Sequence, residues 1–269
     1  MNRNARVKNA VPDEAKMGAK GLAAEEQGGM KVACVLCGAL AREVLDIVKR
    51  YGWNVEVFGV AASDHLHPER IAPDVERRLR ELIPAFERVV VIYGDCGTGG
   101  KLDEVLARYN VPRIAGPHCY EMYGGPAFEG LMAEEAGTFF LTDFLVRSWR
   151  GTVHKGLGLD RFPELTPVYL ANYTRLVYLV QRSDEQLLDR ARGIAASLNL
   201  PLEIRLTGYG LLEERLGALM DQVHEDRWKP VLPACEDQPY GDLPDSVLAR
   251  PSGPGARTRR RRSRERSVA

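Results

Sequence analysis

The stretch Lys31–Tyr51, KVACVLCGALAREVLDIVKRY, decides how this chain is read. Lys31 to Leu36 is a short apolar run with β-branched residues, the pattern of a strand covered on both faces. A tight turn follows at Cys37-Gly38, and Ala39 to Tyr51 then spaces its apolar residues as an amphipathic helix does. The unit recurs twice, from Arg88–Tyr93 into Leu102–Tyr109 and from Leu176–Gln181 into Glu185–Leu198. Val55–Val60, Arg113–Ala115 and Leu202–Leu206 supply further strands, and Leu211–Met220 a further helix. Strands alternating with helices predict an α/β fold, a three-layer sandwich with a mainly parallel sheet built from repeated strand-turn-helix units.

Working outward, residues 1–30 mix Asn, Lys, Ala, Glu and Gly without a period and read as a disordered N-terminal arm. Residues 31–228 form the predicted α/β domain, and the prolines and charges of 229–269 predict a disordered tail. Hydrophobic residues at 45 % and charged residues at 28 % exclude disorder of the whole chain. The formal net charge of zero conceals an Arg-rich end, Arg257, Arg259–Arg262, Arg264 and Arg266. The folded part is therefore acidic, which argues against a basic nucleic-acid groove and leaves only non-specific contact through the tail. No apolar run approaches the roughly 20 residues of a membrane-spanning helix, and no signal peptide opens the chain, so a cytoplasmic protein is expected. Its five cysteines are then available as reduced thiols rather than as structural disulfides.

In parallel sheets, ligands gather beyond the carboxyl ends of the strands. Three predicted strand ends each offer a soft ligand there: Cys37-Gly38, the segment Gly94-Asp95-Cys96-Gly97-Thr98-Gly99-Gly100, and Pro117-His118-Cys119-Tyr120. A thiolate at a strand-to-helix turn meets helix N–H groups, which lower its pKa, and Cys37 and Cys96 fit that position. Cys37, Cys96 and Cys119 are the candidate metal ligands, with His118 as fourth ligand or acid–base group; the set suits zinc or an iron–sulfur cluster with one open position. Asp95 and Asp143 are the candidate proton-transfer or orienting carboxylates. Cys34 completes a C-x-x-C with Cys37 but lies inside the strand, where a small buried residue is the commoner role, and Cys235 falls in the tail.

Gly97, Thr98, Gly99 and Gly100 resemble an anion-cradling loop, although Leu102 stands where a phosphate loop needs Ser or Thr. Asp64-His65-Leu66-His67 reads as an exposed polar loop or as the source of an extra ligand or base. Gly137 to Phe144 reads either as core with a capped helix start or as the wall of a ligand pocket, with Asp143 or Thr138 as its polar groups. Gly156–Pro163 and Tyr169–Tyr173 have the same pocket-like character.

Taken together, Cys37-Gly38-Ala39-Leu40, Tyr93 to Gly100, Pro117 to Glu121, Gly137 to Leu145 and Leu157-Gly158-Leu159-Asp160 resemble the family called domain of unknown function 1638. The likeness runs from about Val32 to Leu219. What the resemblance implies is a tie to corrinoid-dependent methyl transfer, beside whose genes such members are often encoded; it transfers no catalytic role. The chain lacks the D-x-H-x-x-G signature of a typical cobalamin carrier. The expectation is a metal-binding protein of corrinoid-dependent methyl transfer or one-carbon metabolism. The rivals are a non-catalytic accessory partner of a methyltransferase that handles metal or corrinoid, and a thiol oxidoreductase using Cys34 and Cys37.

Overall fold

The computed structural model describes residues 22–23 and 30–233. The chain divides into two units, Met1–Leu232 and Pro233–Ala269. Apart from residue 233 the second unit, with Cys235 and the Arg-rich tail, lies outside the described residues, as do 1–21 and 24–29 of the expected arm.

Along the first unit the elements run β1 (Leu22–Ala23), β2 (Val32–Cys37), α1 (Ala41–Tyr51), β3 (Val55–Val60), α2 (Ile71–Leu82), β4 (Arg88–Ile92), α3 (Lys101–Tyr109), α4 (Cys119–Gly124) and α5 (Pro126–Glu134). There follow β5 (Thr138–Leu141), α6 (Asp143–Trp149), α7 (Thr166–Tyr169), β6 (Arg175–Val180), α8 (Glu185–Leu198), β7 (Leu202–Leu206) and α9 (Leu211–Val223). The repeated strand-turn-helix reading holds, and the fold is α/β with parallel strands flanked by helices.

The parallel strands form two sheets rather than one. The first has the order β1-β3-β2-β4 and the second β5-β6-β7. β2 is central, paired parallel with β3 from Val32↔Val55 to Cys37↔Val60 and with β4 from Val32↔Arg88 to Leu36↔Ile92. All six of its residues are buried, as its unbroken apolar run requires. Leu22–Ala23, inside the expected arm, adds a short antiparallel edge to β3. The predicted strand at Arg113–Ala115 contributes a single parallel bridge, Val91↔Arg113. Pro112 and Pro117 flank it without an N–H to donate, and the ladder goes no further.

β6 joins the two halves by alternation of its side chains. Val177 and Leu179 enter the main core with β2 and β4, whereas Leu176, Tyr178 and Val180 enter a smaller core under α8. Helix ends follow their sequence signals. Asp184 caps α8 by accepting from the amides of Gln186 and Leu187, and Gly52 ends α1 in the left-handed region at φ 64°. No described helix is long and apolar enough to cross a membrane.

Candidate functional site

The topology brings three cysteines to one edge of the first sheet. Cys37 ends β2 and its sulfur accepts the Ala39 amide at 3.4 Å. Cys96 lies in the turn after β4, and Cys119 opens α4 beyond the Arg113 bridge. The Cys119 sulfur interacts electrostatically with both Cys37 and Cys96, the Cys119 amide reaches the Cys96 sulfur, and the Tyr93 hydroxyl lies beside Cys37. Two backbone features hold the turns together. The Cys96 amide donates to the Pro117 carbonyl at 2.8 Å, and Gly94 packs directly on Pro117 and His118, leaving no room for a Cβ.

The electrostatics of these thiols run opposite to the sequence expectation for Cys96. Burial pushes its pKa up to about 11, with backbone amides of Gly94 and Cys119 opposing the rise. The cause is distance from the helix: α3 starts only at Lys101, and a helix end acts over little more than one turn. Burial raises the Cys119 thiol as well, and the charges of Cys37 and Cys96 add to the rise. Cys34, fully buried within β2, is raised by burial alone and lies three residues from Cys37. Residues at that spacing in one strand point to opposite faces, so the C-x-x-C is not a paired dithiol.

The glycine loop already contains its own anion. Asp95 accepts from the Thr98 hydroxyl at 2.5 Å, from the Gly100 amide at 2.9 Å and from the Gly99 amide at 3.3 Å, and the Gly97 amide also contributes. These bonds hold the Asp95 carboxyl below its ordinary pKa and occupy the donors a phosphate would need. Gly97, Thr98, Gly99 and Gly100, the expected cofactor loop, form a turn that Asp95 caps. Cys96 adopts a left-handed φ of 48° within it.

His118 is the N-cap of α4. Its Nδ1 accepts the Glu121 amide at 3.2 Å, and the ring packs on Phe128 and Tyr120 at 5.1 and 5.8 Å. Asp143 is fully buried and accepts from the Tyr178 hydroxyl at 2.8 Å and from the amides of Gln181 and Arg182 at 3.1 Å each. Thr138 bonds the Glu135 carbonyl and accepts from Arg175. Neither supplies the polar group of a pocket; both support their own segments.

A pocket of about 350 Å³ does open beside Cys119, walled mainly by apolar side chains. Phe139 and Phe144 come from the segment read as a pocket wall, and Tyr169 and Tyr173 from the other aromatic segment. Next to α6 the chain makes a π-helical turn, Arg150–His154, whose Thr152 and Val153 also face the pocket. His65 lies in the exposed loop expected at Asp64–His67 and also reaches the pocket. It lines the pocket, stacks on Tyr93 at 5.7 Å and holds Nδ1 3.0 Å from the Ala62 carbonyl. A carbonyl only accepts, so Nδ1 carries the proton and Nε2 the lone pair. Desolvation by the surrounding protein lowers the pKa of the ring and keeps it neutral.

A family model described as "Protein of unknown function (DUF1638)" matches residues 60–216, more than half of the 269-residue chain. The chain belongs to this family.

The match covers Cys96, Cys119, His65 and the aromatic wall of this DUF1638 protein, and begins beyond Cys37. No curated protein matches the chain. Among solved structures, ornithine carbamoyltransferase from Pyrococcus furiosus is 12 % identical with a TM-score of 0.22, over 65 % of this chain and 54 % of that one. The chain spans about half the length of that structure, and a likeness this slight carries no argument. Among the described residues of the DUF1638 chain, no three His, Cys, Asp or Glu side chains stand ready as a set able to hold a metal ion. Its three thiols are neighbours without being a closed coordination shell. Chemically, neutral thiols raised by burial are poor nucleophiles at neutral pH, whereas a soft cation would supply the charge that lets them ionise together.

Proposed function

We propose that this DUF1638 protein binds a soft metal, zinc or an iron–sulfur cluster, through Cys37, Cys96 and Cys119, and serves corrinoid-dependent methyl transfer or one-carbon metabolism. The observation that carries the reading is the meeting of three thiols, from the end of β2, the turn after β4 and the start of α4, with Cys119 beside an apolar pocket. Burial first, and then the charges of Cys37 and Cys96, raise Cys119, so a dication there would gain from several thiolates at once. A thiolate-bound metal with an open position supplies Lewis acidity to a bound substrate. The chain's own residues would exclude water with Phe139, Phe144 and Tyr173 and accept a proton or hydrogen bond at Nε2 of His65. Asp95, His118 and Asp143 act by holding the surrounding turns in place.

The pocket volume favours one form of the reading. About 350 Å³ is at the small end of ligand pockets and suits a small molecule rather than a whole corrinoid. In the accessory version of the function, the corrinoid stays on a partner methyltransferase and this chain presents the metal or the small substrate.

The test is anaerobic purification followed by metal and acid-labile sulfide analysis per chain, with Cys37→Ser, Cys96→Ser and Cys119→Ser beside the wild type. One zinc or one cluster per chain, lost in each of the three variants and kept in Cys34→Ala, supports the proposal. Wild-type protein that stays metal-free after reconstitution with zinc, or with iron and sulfide, overturns it.

A further inference from the structure

A second cluster of unexplained chemistry lies where α1, α6 and the end of β6 meet. Arg42 and Glu43 begin α1, Asp143 and Arg147 lie on α6, and Arg182 follows β6. Arg42 is close enough to both Arg147 and Arg182 for their charges to repel it. Its Nη2 is buried with no hydrogen-bond partner among the described residues, and so is Oε2 of the buried Glu43. Arg147 reaches Glu43 at 3.4 Å and Asp143 at 3.8 Å, both long for charge-assisted bonds. The exposed Arg182 guanidinium makes no hydrogen bond or ion pair among the described residues.

The hydrogen bonding of this cluster is incomplete. Arg42 keeps a buried Nη2 without an acceptor, and Arg147 reaches its two carboxylates only at long range. The carboxylate near Arg182, Asp46, is held by Tyr209 at 2.6 Å and by Arg50 at 3.1 Å. Leaving a buried guanidinium N–H without an acceptor costs about 1–3 kcal/mol, and bringing three arginines together adds repulsion. An anion placed among them relieves both.

We propose that Arg42, Arg147 and Arg182 form a binding site for the phosphate or carboxylate group of a small anionic ligand. Arginine suits the role because its planar fork meets both kinds of oxygen pair bidentately. The location adds a consequence for the rest of the ligand. Arg42 lies one turn beyond Ala39, and Arg147 one turn beyond Phe144; Ala39 and Phe144 line the apolar pocket. The anion site thus follows the pocket wall by three residues on two elements, and a ligand with an acidic head and a compact apolar body is the class proposed for it. This inference does not depend on a metal at the cysteines.

The experiment is calorimetric titration of the full chain with inorganic phosphate and, separately, with malonate, at constant ionic strength set by sodium chloride. Saturable binding of either probe, weakened at least tenfold in both Arg42→Gln and Arg182→Gln and unchanged in Arg190→Gln, an exposed arginine of α8, supports the site. Preference for phosphate or for malonate assigns the head group. Because Arg182 is exposed, its variant tests the site even where loss of Arg42 disturbs folding. Absence of saturable binding by the wild type, or equal binding by Arg182→Gln, overturns the proposal.

Discussion

Gly94 lies so close to Pro117 that a Cβ on it would stand 2.6 Å from the Pro117 carbonyl oxygen, and 2.8 Å from the His118 Cα. That contact sets the separation of the turns carrying Cys96 and Cys119. Gly94→Ala must push the two segments apart, since the atoms it meets are backbone and have no rotamer to retreat into. We expect a loss of about 1–3 kcal/mol in denaturant unfolding, the usual cost of overpacking. Gly193→Ala in α8, where nothing lies within 4 Å, is the contrast and should gain roughly 0.5–1 kcal/mol.

Asp95 is expected to matter for stability rather than for proton transfer. Asp95→Ala leaves the Gly99 and Gly100 amides and the Thr98 hydroxyl without their acceptor, at a cost of about 1–3 kcal/mol. Because folding lowers the Asp95 pKa, its contribution is present above the ordinary carboxylate range and fades as pH falls through the folded value. Unfolding curves at neutral and acid pH should show wild type and Asp95→Ala drawing together only at the acid end.

Asp64 has the opposite sign. Burial, and then the neighbouring Asp74, raise its pKa from 3.8 to about 6. The folded protein therefore holds this proton more tightly than the unfolded chain does. Stability linked to Asp64 is full below about pH 4 and lost as pH rises through about 6. Asp64→Asn should be more stable than wild type at pH 7 and should flatten the pH dependence between those limits; an unchanged profile would sink this assignment.

Tyr178→Phe removes one of three donors to a carboxylate with no access to solvent. The expected loss is about 1–3 kcal/mol, the range for depriving a buried charged acceptor of a partner. Thermal unfolding should detect it, whereas metal content should be unaffected, because Asp143 takes no part in the cysteine cluster.

The sequence alone determined the strand-turn-helix units and the edge at which the cysteines gather. The buried run at Val32–Cys37 and the helical period after Ala39 express local burial, which periodicity reports directly. Parallel β2 and β4 bring Cys37 and Cys96 to a common end, and the bridge at Arg113 leads the chain on to Cys119 beside them, while Phe139 and Phe144 of the aromatic run line the pocket. What the polar side chains do was decided only by tertiary structure. Asp143 finds Tyr178 and Gln181 more than thirty residues away, and His65 becomes a pocket residue only because Tyr93 lies under its ring. Asp95 and His118 spend their acceptors within five residues, yet nothing in their residue types distinguished a turn cap from a catalytic group. The division into two sheets likewise depended on where pairing stopped, at one bridge between Val91 and Arg113. A hydrophobic pattern records whether a residue is buried; the partner of a buried charge or ring nitrogen is a property of the folded neighbourhood.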